Sequence, residues 1–567
     1  MESVELSRAA RYGMVVTGLL QGMVCYLISA WLVPQSSGWM FYGIPAIMVC
    51  SAMLLLTVTS FRQRALWGWM ALIAAVVSAT GFWLRQHIEV WEQTDIYVLY
   101  SFHLLFIAML ALPWIQYHLW PSAGASRYAH FYTNAWRNAL TLLLVLTLYG
   151  LLLLALLLWS QMFEQIGISF FHTLFFDTEG MVYIMLGLIS ALGAILARTH
   201  GRLVAAMQKL LTLMATGLLP LFALLALVFI ATLPFTGLAT LSRRFSAAGL
   251  LLTLALTLLI LMTAVREPQS KTSPWPRALR YPIHASLPIA PVYVLLAGWA
   301  LWQRIEQYGW TPQRLYGVLV TLVALVWSLG YLLSVLLRRY NAQRLQGKVV
   351  LGVSLLALGI QLLLLSPVLD VWRISVNSHM ALYRSGSIDA DEVSLYMLQQ
   401  SGRPGHEALE QLRKDERYIA DPERKRVLER ILRDQQSAIK ALSAEGLVKR
   451  VVLAPGSRAP EPAFWSALIK TTYDISPCVE QDACVVVEQD LNDDGKSELM
   501  LYVFGDANIL IYHFIDNGWK VKGVGSLPPS LSKDKLLQAA AARQLNSAPK
   551  VWRDTVINGE RLELIYY

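Results

Sequence analysis

The chain has 567 residues, 56% of them hydrophobic and 15% charged, and its mean hydropathy is +0.48. This composition is too apolar for an ordinary soluble protein and predicts that much of the chain lies in a membrane. The formal net charge of +9 does not require nucleic-acid binding, because the excess of Lys and Arg falls in short loops between apolar segments. We therefore expect a lipid bilayer as a partner and no nucleic acid.

The first two thirds of the chain contain about eleven apolar runs, each close to the roughly 20 residues that cross a bilayer. The first run continues to Pro34, which makes it longer than the core of a signal peptide, so we expect it to remain as an anchor. The predicted fold class is a membrane all-α bundle of transmembrane helices, followed by a C-terminal soluble α+β domain. The runs lie near residues 13–34, 39–60, 66–84, 96–118, 138–160, 181–197, 210–232, 246–265, 285–303, 316–337 and 349–369.

The loops between these runs differ in positive charge. If the N-terminus lies inside, the inside segments hold most of the Lys and Arg residues, and the outside loop from 161 to 180 holds none. Because positively charged loops resist translocation, the pattern predicts that the chain starts inside and ends outside. No acidic residue lies in the middle of a run, which argues against an ion-coupled transporter. His103, within a run, is expected to be a packed and hydrogen-bonded side chain.

The composition changes near Asp370 from apolar runs to a mixed, charged sequence. Alternating apolar residues then predict strands, and the D-N-G sequence at 516–518 and the N-G sequence at 558–559 are typical of hairpin turns. The predicted parts are a polytopic transmembrane domain at 1–370, an outside helical segment at 371–447 and an outside α+β domain at 448–567.

The stretch "DLNDDGKSEL" at 490–499 has the spacing of a calcium-binding loop, because side-chain oxygens alternate before a glycine that permits a sharp turn. The twelfth position is Leu501, which excludes an EF-hand, and the loop resembles the shorter calcium loops of integrin-type repeats. A metal-free polar turn is the alternative. If the loop binds a structural Ca²⁺, the predicted ligands are Asp490, Asn492, Asp494, the carbonyl of Lys496 and Glu498.

Two of the four cysteines, Cys478 and Cys484, lie close together in the predicted outside domain. A short loop closed in an oxidising compartment is typical of a disulfide, so we expect this pair to be bonded. Two unpaired thiols are the alternative. Cys25 and Cys50 lie within apolar runs and are expected to be packing residues.

The predicted outside loops gather carboxylates, aromatic side chains and arginines at one membrane face. Such groups could hold a lipid headgroup, a glycan or a phosphate, or supply a general base. A belt of interfacial aromatic residues with solvated charges is the alternative. The residues of this candidate outer-face site are Glu89, Asp177, Glu179, Arg304, Glu306, Tyr308, Trp310 and Arg314.

Two segments, 302–320 and 374–412, resemble the DUF4153 family of bacterial polytopic inner-membrane proteins. The resemblance rests on Arg304, Ile305, Tyr308, Gly309, Thr311 and Arg314 in the first segment, and on Ser378, Arg384, Gly386, Gly402, Arg403 and Gly405 in the second. It implies a multi-pass protein of the bacterial inner membrane, so that the N-terminus, which the charge pattern predicts to lie inside, is cytoplasmic and the C-terminal domain, predicted to lie outside, is periplasmic. The family has no assigned function, so the resemblance implies no reaction.

Three functions remain open, because no motif of a known soluble enzyme occurs in the chain. The first is an envelope protein whose periplasmic part binds a protein partner, a glycan or a lipid headgroup. The second is a membrane-embedded transferase or hydrolase that acts on a lipid-linked substrate at the periplasmic face. The third is an uncoupled transporter of a lipid or solute. Whether the protein is an enzyme is left open by the sequence.

Overall fold

Eleven helices that are long and apolar enough to cross a membrane occur among the described residues, which confirms the predicted bundle. They are α1 (Arg8–Leu27), α2 (Gly38–Thr57), α3 (Arg64–Ile88), α4 (Gln93–Leu119), α5 (Arg127–Gln165), α6 (Glu179–Thr199), α7 (Gly201–Thr236), α8 (Ala247–Val265), α9 (Arg277–Tyr308), α10 (Pro312–Leu336) and α11 (Ala342–Leu364). The computed structural model describes residues 6–33, 36, 38–88, 93–120, 126–236, 246–266, 274–337, 342–440, 444–469, 478, 484–491, 495–504, 508–515, 518–528, 531–545, 555–557 and 560–562.

Several of these helices begin at a serine that satisfies their first free N–H groups. The hydroxyls of Ser7, Ser126 and Ser246 each accept a hydrogen bond from the backbone N–H three residues later. Such a cap lets a helix start in polar sequence, before its apolar run begins. As a result α5 starts eleven residues before the run predicted at 138–160.

Helices α1 and α6 approach each other closely through glycines. A Cβ atom added at Gly18 would lie 2.4 Å from the carbonyl oxygen of Gly187, and one added at Gly187 would lie 2.1 Å from that of Gly18. One turn along α1, a Cβ at Gly22 would lie 2.4 Å from the carbonyl oxygen of Tyr183. In a bilayer, small residues at such crossings allow two backbones to make close van der Waals contact.

Buried polar side chains within the bundle are hydrogen-bonded to one another. His103 contacts Gln361 Oε1 through Nδ1 at 2.6 Å and the Tyr316 hydroxyl through Nε2 at 3.1 Å, which confirms the packed histidine. Gln116 and Asn138 exchange two amide hydrogen bonds, of 3.0 and 2.9 Å. These pairs satisfy groups that would be costly to leave alone in hydrocarbon.

The chain after the last membrane helix contains short helices and then a sheet domain. Its helices are α12 (Val371–Arg384), α13 (Leu395–Gln399), α14 (Gly402–Arg413), α15 (Glu416–Ile419), α16 (Pro422–Lys440), α17 (Ala444–Arg450), α18 (Pro462–Ile469) and α19 (Lys533–Ala541). The chain divides into two compact units, Met1–Ala408 and Leu409–Tyr567. The three predicted parts, with boundaries after residues 370 and 447, stay a prediction.

A five-stranded sheet forms the centre of the second unit, in agreement with the predicted α+β domain. The strand order is sequential, with β1 parallel to β2 and the other neighbours antiparallel. A separate hairpin pairs β6 with β7. The strands are β1 (Val452–Leu453), β2 (Cys484–Gln489), β3 (Glu498–Val503), β4 (Asn508–Ile515), β5 (Gly518–Ser526), β6 (Thr555–Ile557) and β7 (Glu560–Leu562).

Helices cover both faces of this sheet. Leu499 and Leu501 of β3 belong to the apolar cluster that contains Phe464 of α18, whereas Met500 belongs to the one that contains Leu536 of α19. Successive side chains of a strand point to opposite faces, so a strand covered on both sides is apolar throughout. The sequence "LMLYV" of β3 fits this position.

Candidate outer-face site

A tight turn connects α9 to α10 at the membrane face that the charge pattern predicts to be outside. Gly309 ends α9 with φ +73, and its N–H donates to the carbonyl of Ile305 at 2.8 Å. Thr311 then caps α10, and Pro312 takes the first helical position, where its missing N–H costs nothing. The turn therefore fixes Tyr308 and Arg314 on either side of it.

Two arginine side chains lie against one tyrosine ring at this turn. The guanidinium carbons of Arg304 and Arg314 are 5.9 and 5.5 Å from the centre of the Tyr308 ring. Arg314 Nη1 also donates to the carbonyl of Gly309 at 2.6 Å. The Tyr308 side chain is 57% exposed. We call Arg304, Tyr308 and Arg314 the arginine–tyrosine cluster.

No carboxylate pairs with the arginine–tyrosine cluster among the described parts of the chain. Glu306 is exposed and forms no ion pair with either arginine. Two guanidinium groups that share a ring repel each other, because like charges disfavour each other at short range. The cluster thus presents exposed positive charge that nothing in its described surroundings neutralises.

Helix α12 is hydrogen-bonded to the backbone of this turn. Ser378 Oγ accepts a hydrogen bond from the Trp310 N–H at 3.0 Å, and the Ser375 hydroxyl donates to the Trp310 carbonyl at 3.1 Å. The Trp310 side chain packs, half-buried, in the cluster that contains Trp372 of α12. Trp310 therefore serves to position the turn, and its backbone is fully engaged.

The other predicted outer-face residues do not join the arginine–tyrosine cluster. Asp177 lies 3.5 Å from His172 Nδ1, in the exposed segment between α5 and α6. Glu179 lies in the first turn of α6 and is exposed. No hydrogen bond or ion pair connects Asp177 or Glu179 to the two arginines. Glu89 lies outside the described residues.

A second, buried polar contact near this face was not predicted from the sequence. His87, at the end of α3, lies with Nε2 3.4 Å from Asp370 Oδ2, and the two residues are 5% and 6% exposed. Asp370 caps α12, because its Oδ1 accepts a hydrogen bond from the Arg373 N–H at 3.0 Å. An aspartate before a helical run is a recognisable cap signal, but nothing in the sequence indicates its partner on α3.

Aromatic rings enclose this histidine. The His87 ring centre is 4.9 Å from the Trp83 ring and 5.4 Å from the Trp372 ring. His87 Nδ1 is buried and has no hydrogen-bond partner in the described part of the chain. The pair therefore links α3 to α12 inside an apolar shell, where an unpaired charge would be costly.

The predicted calcium loop lies in the second unit and is described in part. Gly495 has φ +81, and its N–H donates to Asp490 Oδ2 at 2.9 Å, while Asp490 Oδ1 is buried without a partner among the described residues. Glu498 accepts from the Leu491 N–H at 2.7 Å and lies 2.8 Å from His513 Nδ1. Asn492 and Asp494 lie outside the described residues, so the predicted ligand set is not tested.

The predicted cysteine pair is close enough to be bonded. The Sγ atoms of Cys478 and Cys484 are 2.08 Å apart, and both residues are fully buried. The bond joins the start of β2 to the residue that precedes it by six positions. Cys25 and Cys50 are free, as expected for packing residues within apolar helices.

Eleven apolar helices followed by a sheet domain define a multi-pass membrane protein with a terminal α+β domain. The sequence matches the family model described as a domain of unknown function, DUF4153, over residues 11–412. The chain therefore belongs to the DUF4153 family, which confirms the resemblance seen in its sequence. No curated protein and no solved structure matches the chain significantly.

Proposed function

We propose that the chain is an envelope protein of the bacterial inner membrane, with a cytoplasmic N-terminus and a periplasmic C-terminal domain. The charge difference between alternate loops supports this orientation. Reporter fusions after Tyr567 test it. A reporter that is active only in the periplasm is expected to work, and one that fluoresces only in the cytosol is expected to stay dark. The reverse result would contradict the orientation.

We further propose that the arginine–tyrosine cluster binds the anionic head of an envelope ligand, either a lipid headgroup or an acidic glycan. The observation that carries this proposal is the exposed Arg304 and the half-buried Arg314 on one exposed tyrosine ring, with no carboxylate partner among the described residues. Guanidinium groups form strong, often bidentate hydrogen bonds to phosphate and carboxylate oxygens. An exposed tyrosine ring adds a flat surface on which a sugar ring or a headgroup can pack.

Soluble probes test this site because it is open to water. Full-length protein in a neutral detergent is titrated with glycerol 1-phosphate, glucuronate and uncharged glycerol. We expect the two anions to bind and glycerol not to bind. Arg304→Gln and Arg314→Gln should each raise the Kd of the anions about tenfold, because each removes a charge-assisted contact.

Arg277→Gln is the matched control for these variants. Arg277 is exposed at the opposite end of the same helix, α9, and its substitution removes the same charge. The Kd of Arg277→Gln for the two anions should equal that of the wild type. Binding of phosphate alone would indicate a phosphate headgroup, and binding of both anions would allow an acidic glycan. If neither anion binds, or if Arg277→Gln weakens binding equally, the proposal is wrong.

A second candidate function is a transferase or hydrolase that acts on a lipid-linked substrate. The contact between His172 and Asp177 favours it, because a carboxylate that orients a partly exposed imidazole is a common arrangement for a general base. Turnover of a polyprenyl phosphate derivative by the purified protein, lost in Asp177→Asn, would support this candidate. Full turnover by Asp177→Asn would remove the pair from the reaction.

We also propose that the loop beginning at Asp490 binds a structural calcium ion, with the five ligands predicted from the sequence. The buried, unpartnered Asp490 Oδ1 and the positive φ of Gly495 support this proposal. Hard oxygen atoms are the ligands that Ca²⁺ prefers. Glu498 already accepts a backbone N–H, so it would close the loop as well as bind the ion.

Calcium is expected to stabilise the protein through this loop. At about 100 times its Kd, free Ca²⁺ should raise the free energy of unfolding by about 2.7 kcal/mol, and a chelator should remove the gain. Asp490→Asn should abolish the effect. Asp421→Asn, a substitution at the exposed cap of α16, should keep it. A chelator without effect on the wild type would leave a metal-free polar turn.

A further inference from the structure

A buried arginine lies where several membrane helices end, at the face opposite to the arginine–tyrosine cluster. Arg198, one residue before the end of α6, is 2% exposed. Its Nη1 and Nη2 atoms donate to the carbonyls of Leu55 and Val58, at 2.8 and 2.6 Å. These carbonyls belong to the C-terminal end of α2, which carries partial negative charge. The guanidinium Nε is also buried and has no acceptor among the described residues.

Trp120, directly after α4, adds a second donor without an acceptor in the described part of the chain. The guanidinium carbon of Arg198 lies 5.9 Å from the centre of the Trp120 ring. Trp120 Nε1 is also buried and has no hydrogen-bond partner. Indole N–H and guanidinium N–H groups can only donate, so both atoms need an acceptor that the described residues do not supply.

A second arginine approaches from α5. Helices α5 and α6 run antiparallel, since the Tyr149 hydroxyl donates to the Leu186 carbonyl and a Cβ at Gly193 would lie 2.9 Å from Val145. Towards the other end of the pair, Leu140 and Ala197 pack in one buried cluster. Arg137 precedes Leu140 by three residues on α5, and Arg198 directly follows Ala197 on α6, so this packing places both arginines at the same end of the helix pair.

The charge of Arg137 is not compensated in the described part of the chain. Arg137 forms no hydrogen bond or ion pair there, and no carboxylate pairs with Arg198. Two partly desolvated cations are costly without counter-charge. The carbonyls at the end of α2 offset only part of the charge of Arg198. They do not offset the charge of Arg137.

We propose that Arg137, Arg198 and Trp120 form a second anion site, which binds a phosphate group at the predicted cytoplasmic face. Two adjacent cations and two unsatisfied donors match the charge and the acceptor oxygens of a phosphate. The site lies at the level where α2, α4 and α6 end, and basic pockets between helix ends are suited to anionic lipid headgroups. A lipid phosphodiester and free inorganic phosphate offer the same oxygens, so experiment must distinguish the two sources.

Arg137→Gln is the variant that tests the site. Arg198 holds the end of α2, so its removal would disturb folding, whereas Arg137 has no contact of this kind to lose. Full-length protein in neutral detergent is mixed with phosphatidylglycerol, with phosphatidylcholine or with inorganic phosphate, and binding is followed by native mass spectrometry. Arg202→Gln is the matched control, because Arg202 is exposed at the start of α7, near the same face.

The wild type should bind phosphatidylglycerol in preference to phosphatidylcholine. Arg137→Gln should raise the Kd about tenfold, because one charge-assisted contact is lost, and Arg202→Gln should leave it unchanged. Binding of inorganic phosphate with the same dependence on Arg137 would support the site and identify free phosphate as its source. Equal binding by wild type and Arg137→Gln would overturn the proposal and leave a water molecule as the missing acceptor.

The outer-face cluster would bind the same class of anion, so its contribution must be removed. The comparison is therefore repeated in a chain that carries both Arg304→Gln and Arg314→Gln. An effect of Arg137→Gln that persists there belongs to the inner site alone. An effect that disappears there would overturn the inner site while leaving the outer-face cluster intact.

Discussion

Replacing Gly187 with leucine is expected to abolish the close contact of α1 with α6 and to remove most of the folded protein. A Cβ atom at this position would lie 2.1 Å from the carbonyl oxygen of Gly18, and backbone atoms cannot move aside as a flexible side chain can. Overpacking of a tight interface costs up to about 3 kcal/mol, and the loss of helix contact adds to that cost. The measurement is the free energy of unfolding of full-length protein in mixed micelles.

Gly150→Leu is the matched control for this substitution. Gly150 also lies within a membrane helix, but it is exposed, and a Cβ there would meet no atom within 4 Å. Its variant should unfold at the same denaturant concentration as the wild type. If Gly187→Leu is as stable as Gly150→Leu, then α1 and α6 do not cross as closely as the glycine contacts indicate.

The sequence predicts the number and type of membrane helices but not their ends. Hydropathy detects the apolar part of a helix, whereas the helix continues into polar sequence until a cap or a break. The run predicted at 210–232 is part of α7, which extends from Gly201 to Thr236. The strands predicted from alternating apolar residues at 483–489, 498–504 and 508–515 agree within one residue with β2, β3 and β4.

The candidate site is predicted where local sequence determines it. Arg304 and Tyr308 are one helical turn apart, so their contact follows from i,i+4 spacing, and Gly309 marks the turn that brings Arg314 to the same ring. The predicted set also contains residues that the structure does not bring into contact with the arginines. Asp177 and Glu179 were grouped with the arginines only because they share a membrane face, and a shared face does not imply contact.

Contacts between distant helices could not be predicted from one sequence. The approach of Gly18 to Gly187 depends on which helices are neighbours, and a hydropathy pattern does not contain this information. The contact of Arg198 with the end of α2 has the same origin. The sequence does not distinguish a buried arginine close to the end of an apolar run from an ordinary interfacial charge. The burial of Arg198 is therefore known only from the structure.

Asp370→Ala should destabilise the protein more than the loss of a helix cap can explain. Asp370 caps α12 and also pairs with His87, and both residues are almost fully buried. Removing the carboxylate leaves the buried Nε2 of His87 without its partner, which costs about 1–3 kcal/mol in addition to the lost cap. The contact with Arg373 adds little, since the Arg373 side chain is 57% exposed. The free energy of unfolding in mixed micelles measures the total loss.

Two further variants separate the cap from the buried pair. Asp370→Asn keeps an oxygen that can cap α12 but removes the charge that faces His87. Its free energy of unfolding should therefore fall only by the contribution of the contact with His87. Asp421→Ala removes an exposed cap and should cost about 1 kcal/mol. If Asp370→Ala costs no more than Asp421→Ala, the contact between Asp370 and His87 contributes nothing. A large loss in the free energy of unfolding, together with faster hydrogen exchange along α12, would show that this contact stabilises the packing of α12 against α3. Because α12 is hydrogen-bonded to the turn at Trp310, the contact would then also stabilise the turn that carries the arginine–tyrosine cluster.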